Sequence, residues 1–127
     1  MERGQRWSLL KAKKHSRPGT PLYMSPEMIK GCYDDIAVQT DIYSLGVLFI
    51  ELLTFKEPMR GRTVHVTFEN HLNPSTLQKN LAELREKSVP ESVIVIVERC
   101  MQQYPRDRYA SVDEFIDACR TALSEVQ

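Results

Sequence analysis

A chain of 127 residues, 42% hydrophobic and 27% charged, has the length and composition of one soluble globular domain, able to bury about two thirds of its unfolded surface. Its 17 basic and 17 acidic side chains cancel, so no global field draws it to nucleic acid or to anionic lipid. Cys32, Cys100 and Cys119 are sparse, odd in number and without Cys-x-x-Cys spacing, which argues against a disulfide framework or a zinc site, and no apolar run is long enough for a leader or a membrane span, so a reducing, cytoplasmic setting is expected.

Residues 1–18 carry Arg3, Arg6, Lys11, Lys13, Lys14 and Arg17 with little apolar periodicity, and end at Arg17-Pro18-Gly19. They read as a basic, solvated loop or tail. Ser25, Pro26 and Glu27 form an N-cap, a first-turn proline and an early acid, with Gly31 as a stop, and predict a short helix over residues 26–30. From 42 to 53 only Ser44, Gly46 and Glu51 interrupt apolar residues and Tyr43, so no face is polar and the helix is expected to be buried nearly all round.

Val64, Val66 and Phe68 alternate as in a strand, whereas Val64, Phe68 and Leu72 recur at four-residue steps as in a helix; both readings stand. Asn73-Pro74 opens an amphipathic helix with Leu77, Leu81 and Leu84 on one stripe. Residues 93–97 are five β-branched side chains with strand propensity. Pro90 and Glu91 at the start, and Ile94, Val97 and Met101 at helical spacing, favour helix there instead. Ser111 to Glu114 is a capping box leading into Val112, Phe115, Cys119 and Leu123. No internal repeat or low-complexity tract interrupts this order.

Four motifs then fall in one order. Gly19-Thr20-Pro21-Leu22-Tyr23-Met24-Ser25-Pro26-Glu27 resembles the end of a protein kinase activation segment, G-T-x-x-Y-M-x-P-E in Ser/Thr kinases. Asp41-Ile42-Tyr43-Ser44-Leu45-Gly46 through Thr54 resembles the central helix of the large lobe, Cys100 to Arg108 the C-x-x-x-x-P-x-x-R signature, and Ser111 to Phe115 the start of the last helix. Together they cover residues 16–124, and the forms around Asp41 and Arg108 lean toward the bacterial type. The resemblance implies a mainly α fold, the large C-terminal lobe portion of a kinase-like fold built around one buried central helix, with residues 19–127 as a partial C-lobe and 1–18 as an activation-segment remnant.

By the same resemblance, Thr20 favours hydroxyl substrates, and Pro21 and Leu22 line the wall that meets the residue after the phosphoacceptor. Glu27 pairs with Arg108, a planar guanidinium able to meet a carboxylate with two hydrogen bonds. Asp41 anchors the catalytic loop through backbone N–H groups, and Ser16, near Lys13, Lys14 and Arg17, is a candidate phosphorylation site.

The groups that perform phosphoryl transfer are not among these residues. The glycines, at 4, 19, 31, 46 and 61, are never two apart, so no G-x-G-x-x-G loop exists, and neither a His-Arg-Asp nor an Asp-Phe-Gly motif occurs. Catalytic, cofactor-binding and metal residues are therefore absent from the 127, and ATP and Mg²⁺ are expected only for a complete kinase domain. In the family the central helix is covered by a helix upstream of the catalytic loop, so the resemblance also implies one uncovered apolar face with a drive to associate. Two functions follow: part of a Ser/Thr kinase that moves the ATP γ-phosphate to protein Ser or Thr, or a catalytically dead, pseudokinase-like binding module. The partners expected are a protein substrate or the upstream kinase half, not nucleic acid or a membrane.

Overall fold

Ser25 begins the first helix: its hydroxyl accepts from the Met28 N–H at 3.3 Å, and Pro26 occupies the first turn, where its missing N–H costs nothing. The computed structural model describes residues 21–126, so Ser16, Thr20 and the basic segment 1–18 lie outside the described residues. Helix α1, Pro26–Ile29, ends as Gly31 takes φ +75°, a conformation that favours glycine. The chain then runs through a 3-10 turn, Tyr33–Asp35, into α2, Val38–Thr54.

Helix α2 is the hub. Ile42, Tyr43, Val47 and Ile50 are buried in the main core with Leu77, Leu81, Leu84, Ile94, Val97 and Met101. Gly46 lies where a Cβ would stand 2.6 Å from Met101 Cγ and 2.8 Å from Cys100 Cβ, so a bare backbone there lets the two segments meet. The expectation of burial all round is corrected on one side: Leu45 and Leu48 are exposed, Leu52 is 65% exposed, and Phe55, in the left-handed region just past the helix, is 91% exposed. Leu45, Leu48 and Leu52 are three and seven residues apart and form one stripe. This is the uncovered apolar face that the family resemblance implies.

The remaining elements are α3, Val64–Leu72; α4, Pro74–Glu86; α5, Glu91–Cys100; and α6, Val112–Val126. No strand occurs among the described residues. Helix α3 resolves the open reading of 64–72, and its buried residues are Thr67 and His71, whereas Val64 is exposed. Phe68 packs instead on Met24 and Met28, a small second cluster under α1. Asn73 caps α4 through Ser75 N–H, and Leu77, Leu81 and Leu84 are all buried, as the sequence predicts.

Helix α5 forms over the five β-branched residues because Ile94, Ile96, Val97 and Cys100 all reach the core, and tertiary burial outweighs the local preference. At α6, the Ser111 hydroxyl accepts from Glu114 N–H at 3.1 Å, while the Glu114 carboxylate accepts from Ala110 N–H, one residue earlier than the expected box. The apolar stripe also shifts: Phe115, Ala118, Cys119 and Ala122 face the core, and Val112 and Leu123 are exposed. No described helix is long and apolar enough to cross a membrane.

The two sides of α2 differ in what a substitution does. Ile50→Ala is expected to cost about 2–5 kcal/mol in urea unfolding, as for other fully buried aliphatic truncations. Leu52→Ser should leave stability within about 0.5 kcal/mol while lowering self-association in analytical ultracentrifugation.

Candidate functional site

An arginine that is 2% exposed needs a partner for every donor, and Arg108 has them. Its position follows from the 3-10 turn Pro105–Asp107, after which the chain extends and turns the side chain inward. Nη1 donates to Glu27 Oε2 at 2.8 Å and to the Gln39 carbonyl at 2.9 Å; Nη2 donates to Glu27 Oε1 at 2.9 Å and to the Gln103 carbonyl at 3.1 Å. Nε donates to the Gln102 carbonyl at 2.8 Å, which uses all five N–H groups.

Glu27 is carried to this point by α1, 81 residues earlier in the chain. Its Oε2 also accepts from the Thr40 hydroxyl at 2.7 Å. Burial opposes ionisation of Glu27, but the hydrogen bonds and charge of Arg108, with Thr40, overcome that and hold the carboxyl below its ordinary range. The two-pronged geometry ties the segment after residue 20 to the loop before α6.

The Arg108 guanidinium also lies 5.0 Å from the centroid of the Tyr43 ring. The Tyr43 hydroxyl and His71 Nδ1 are 2.8 Å apart, and His71 Nε2 lies 2.9 Å from the Pro21 carbonyl. Because a carbonyl only accepts, Nε2 carries the proton and Nδ1 accepts from Tyr43. Burial pushes the His71 imidazole down to about 4, while the backbone of Pro21 and Leu22 pulls weakly the other way. Burial also pushes the Tyr43 phenol upward, so both groups are neutral near pH 7.

Pro21 and Leu22 stand in a 3-10 turn, Pro21–Tyr23, above α2 and α3. Ser44 donates to the Tyr23 carbonyl at 2.7 Å, and the Tyr23 hydroxyl donates to Glu51. Asp41 sits in the first turn of α2, partly buried and close in sequence to Thr40 and Tyr43 of this network. The structure thus brings Glu27 and Arg108 into contact and sets Pro21 and Leu22 beside them through Tyr43 and His71. Among the described residues there is no group of three or more His, Cys, Asp or Glu placed to hold a metal ion.

Tyr43, Thr40, Gln103 and His71 were not singled out by sequence reasoning. Tyr43 lies inside a quoted motif, but His71 is marked only by its four-residue spacing from Thr67, a polar pair that occupies the buried face of α3.

A family model described as Protein kinase domain matches residues 5–119. The chain is 35% identical over 98 residues to serine/threonine-protein kinase PknD of Protochlamydia amoebophila, covering 77% of this chain and 10% of that protein. It is 34% identical over 97 residues to serine/threonine-protein kinase PkaA of Streptomyces coelicolor, covering 76% and 16%. It is 34% identical over 109 residues to serine/threonine-protein kinase 17A of Oryctolagus cuniculus, covering 86% and 26%. The chain therefore spans between a tenth and about a quarter of the length of these relatives, which come from bacteria and a mammal alike.

Removing either partner of the buried pair leaves the other charge uncompensated. Glu27→Ala and Arg108→Leu are each expected to cost about 3–5 kcal/mol, and the double variant clearly less than their sum, in a denaturant double-mutant cycle.

Neutral His71 stabilises the fold fully above its unfolded value of 6.5 and loses that contribution as pH falls toward about 4. Stability should drop by about 3 kcal/mol over that window. His71→Gln should flatten it in urea unfolding at fixed ionic strength. Glu27 contributes a separate loss below its ordinary value, where its carboxylate becomes protonated.

Proposed function

The chain belongs to the protein kinase family, and from that premise we propose that it is the C-terminal lobe portion of a Ser/Thr protein kinase, which in its complete form transfers the ATP γ-phosphate to protein Ser or Thr hydroxyls. Residues 19–127 form the partial lobe and 1–18 a basic remnant of the activation segment. The part contributed here is substrate positioning and lobe stability, not chemistry. The observation that carries this reading is the buried, doubly hydrogen-bonded Glu27–Arg108 pair, which fixes the segment containing Pro21 and Leu22 against the helical body.

In this reading Thr20, Pro21 and Leu22 face the protein substrate, and Asp41 holds the catalytic loop of the complete domain. Ser16, close in sequence to Lys13, Lys14 and Arg17, is in this reading the candidate phosphorylation site. ATP and Mg²⁺ are assigned to the complete domain, because the 127 residues carry no glycine-rich phosphate cradle. The protein acts in the cytoplasm.

The absence of the His-Arg-Asp and Asp-Phe-Gly motifs from these 127 residues favours a second reading for the chain by itself, a pseudokinase-like module that works by protein contact. Nucleotide separates the two. The product of the complete reading frame should move phosphate from ATP to Ser or Thr peptides, and the 127-residue chain alone should show no ATP·Mg²⁺-induced shift in melting temperature. A complete product that binds protein but transfers no phosphate would establish the module instead, and transfer to tyrosine alone would overturn the Ser/Thr assignment.

A further inference from the structure

The turn Pro21–Tyr23 buries none of its own residues, yet both its outer carbonyls are held by side chains from other elements. His71 holds the Pro21 carbonyl from the last turn of α3, and Ser44 holds the Tyr23 carbonyl from α2. Among the described residues, the backbone bond to the Pro21 carbonyl comes from Met24 N–H and is long, 3.3 Å, so the imidazole at 2.9 Å is its better-placed donor.

His71 in its other tautomer would point a lone pair at that carbonyl. The Pro21 carbonyl, which can only accept, selects the Nε2–H form, and the Tyr43 hydroxyl, able to donate or accept, then donates to Nδ1 and steadies the ring. Tyr43 is adjacent to Ser44 on the same helix, so one rigid element aims both clamps. A second tie runs through Gln103, whose side-chain amide donates to the His71 carbonyl at 2.9 Å while its own carbonyl accepts from Arg108. The imidazole is thus aimed from its ring and from its backbone, and both supports lead back to Arg108.

We propose that His71 is a positioning residue: with Nε2–H on the Pro21 carbonyl and Nδ1 held by the Tyr43 hydroxyl, it fixes that carbonyl and so sets the shape of the wall that meets the side chain following the acceptor hydroxyl of a protein substrate. This rests on the kinase reading of Pro21 and Leu22. The consequence is selectivity at one peptide position, separate from general affinity and from fold stability. Leucine at 71 would fill the space without a donor, whereas glutamine would return an N–H near the place of Nε2.

The test compares the 127-residue wild-type chain with His71→Gln, His71→Leu and Tyr43→Phe. The probe is an immobilised library of Ser- and Thr-containing peptides, degenerate at the position after the hydroxyl residue. Wild type and His71→Gln should share one ranking at that position, and His71→Leu should flatten the preference roughly fivefold, the worth of one neutral hydrogen bond. Tyr43→Phe should flatten it less, because the imidazole keeps Nε2–H on the Pro21 carbonyl but loses the donor that steadies Nδ1. A merely structural His71 would lower melting temperatures and leave the ranking intact; that result, or a glutamine variant as flat as the leucine one, overturns the proposal.

Should wild type bind no peptide, the docking reading fails on its own, and hydrogen exchange at the Met24 amide decides the positioning. Faster local exchange in His71→Leu, restored in His71→Gln, supports the clamp, and equal exchange in all chains refutes it. If His71→Leu does not fold, the glutamine and phenylalanine variants decide by the same readings, with unchanged ranking and unchanged Met24 exchange in Tyr43→Phe counting against the proposal.

Discussion

A guanidinium that has lost its water is the constraint around which this molecule is arranged. Arg108 has five donors and no acceptor, so burial demands five oxygen partners in one plane, and the fold supplies two carboxylate oxygens and three carbonyls from residues 27, 39, 102 and 103. Those positions come from α1, the entry to α2 and the loop before α6. Lysine, a point charge with three donors, would leave some of those oxygens unsatisfied. The pair thus costs desolvation and returns it as a fixed relation between segments far apart in sequence.

The positive charge of Arg108 also shapes the neighbours beyond Glu27. Tyr43 stacks beneath it and reaches His71, and a protonated imidazole there would place a second buried cation near the first. Neutral His71 is therefore both the form that burial favours and the form that can donate to Pro21 while accepting from Tyr43. The polar interior is a single network in which each hydrogen bond direction follows from the carbonyl at one end and the arginine at the other.

Helix α2 serves three purposes with three faces. Ile42, Val47 and Ile50 pack the core; Ser44 and Glu51, seven residues apart, hold Tyr23; and Leu45, Leu48 and Leu52 remain open. An almost wholly apolar sequence allowed the inner and outer faces to be told apart only by what lies against them. Helix α3 presents the opposite case. Its apolar residues suggested the buried side, but Thr67 and His71 are the ones enclosed, because the neighbours they meet are carbonyls and hydroxyls instead of aliphatic chains.

The sequence by itself determined the helix starts at Ser25 and Asn73, the stripe of Leu77, Leu81 and Leu84, and the family, since these rest on local hydrogen bonding, on 3.6-residue periodicity and on ordered motifs. A pairing of Glu27 with Arg108 was also legible, through resemblance. Helix over residues 93–97 was favoured by Pro90, Glu91 and the spacing of Ile94, Val97 and Met101, against local β propensity. Only the tertiary structure decided that 64–72 is a helix, that α6 buries Ala118 and Ala122 in place of Val112 and Leu123, and that His71 belongs with Tyr43 and Pro21. Local propensity amounts to tenths of a kcal/mol per residue, whereas burying an aliphatic side chain or satisfying a buried polar group is worth about 1–3, so the neighbours brought in from distant parts of the chain prevail.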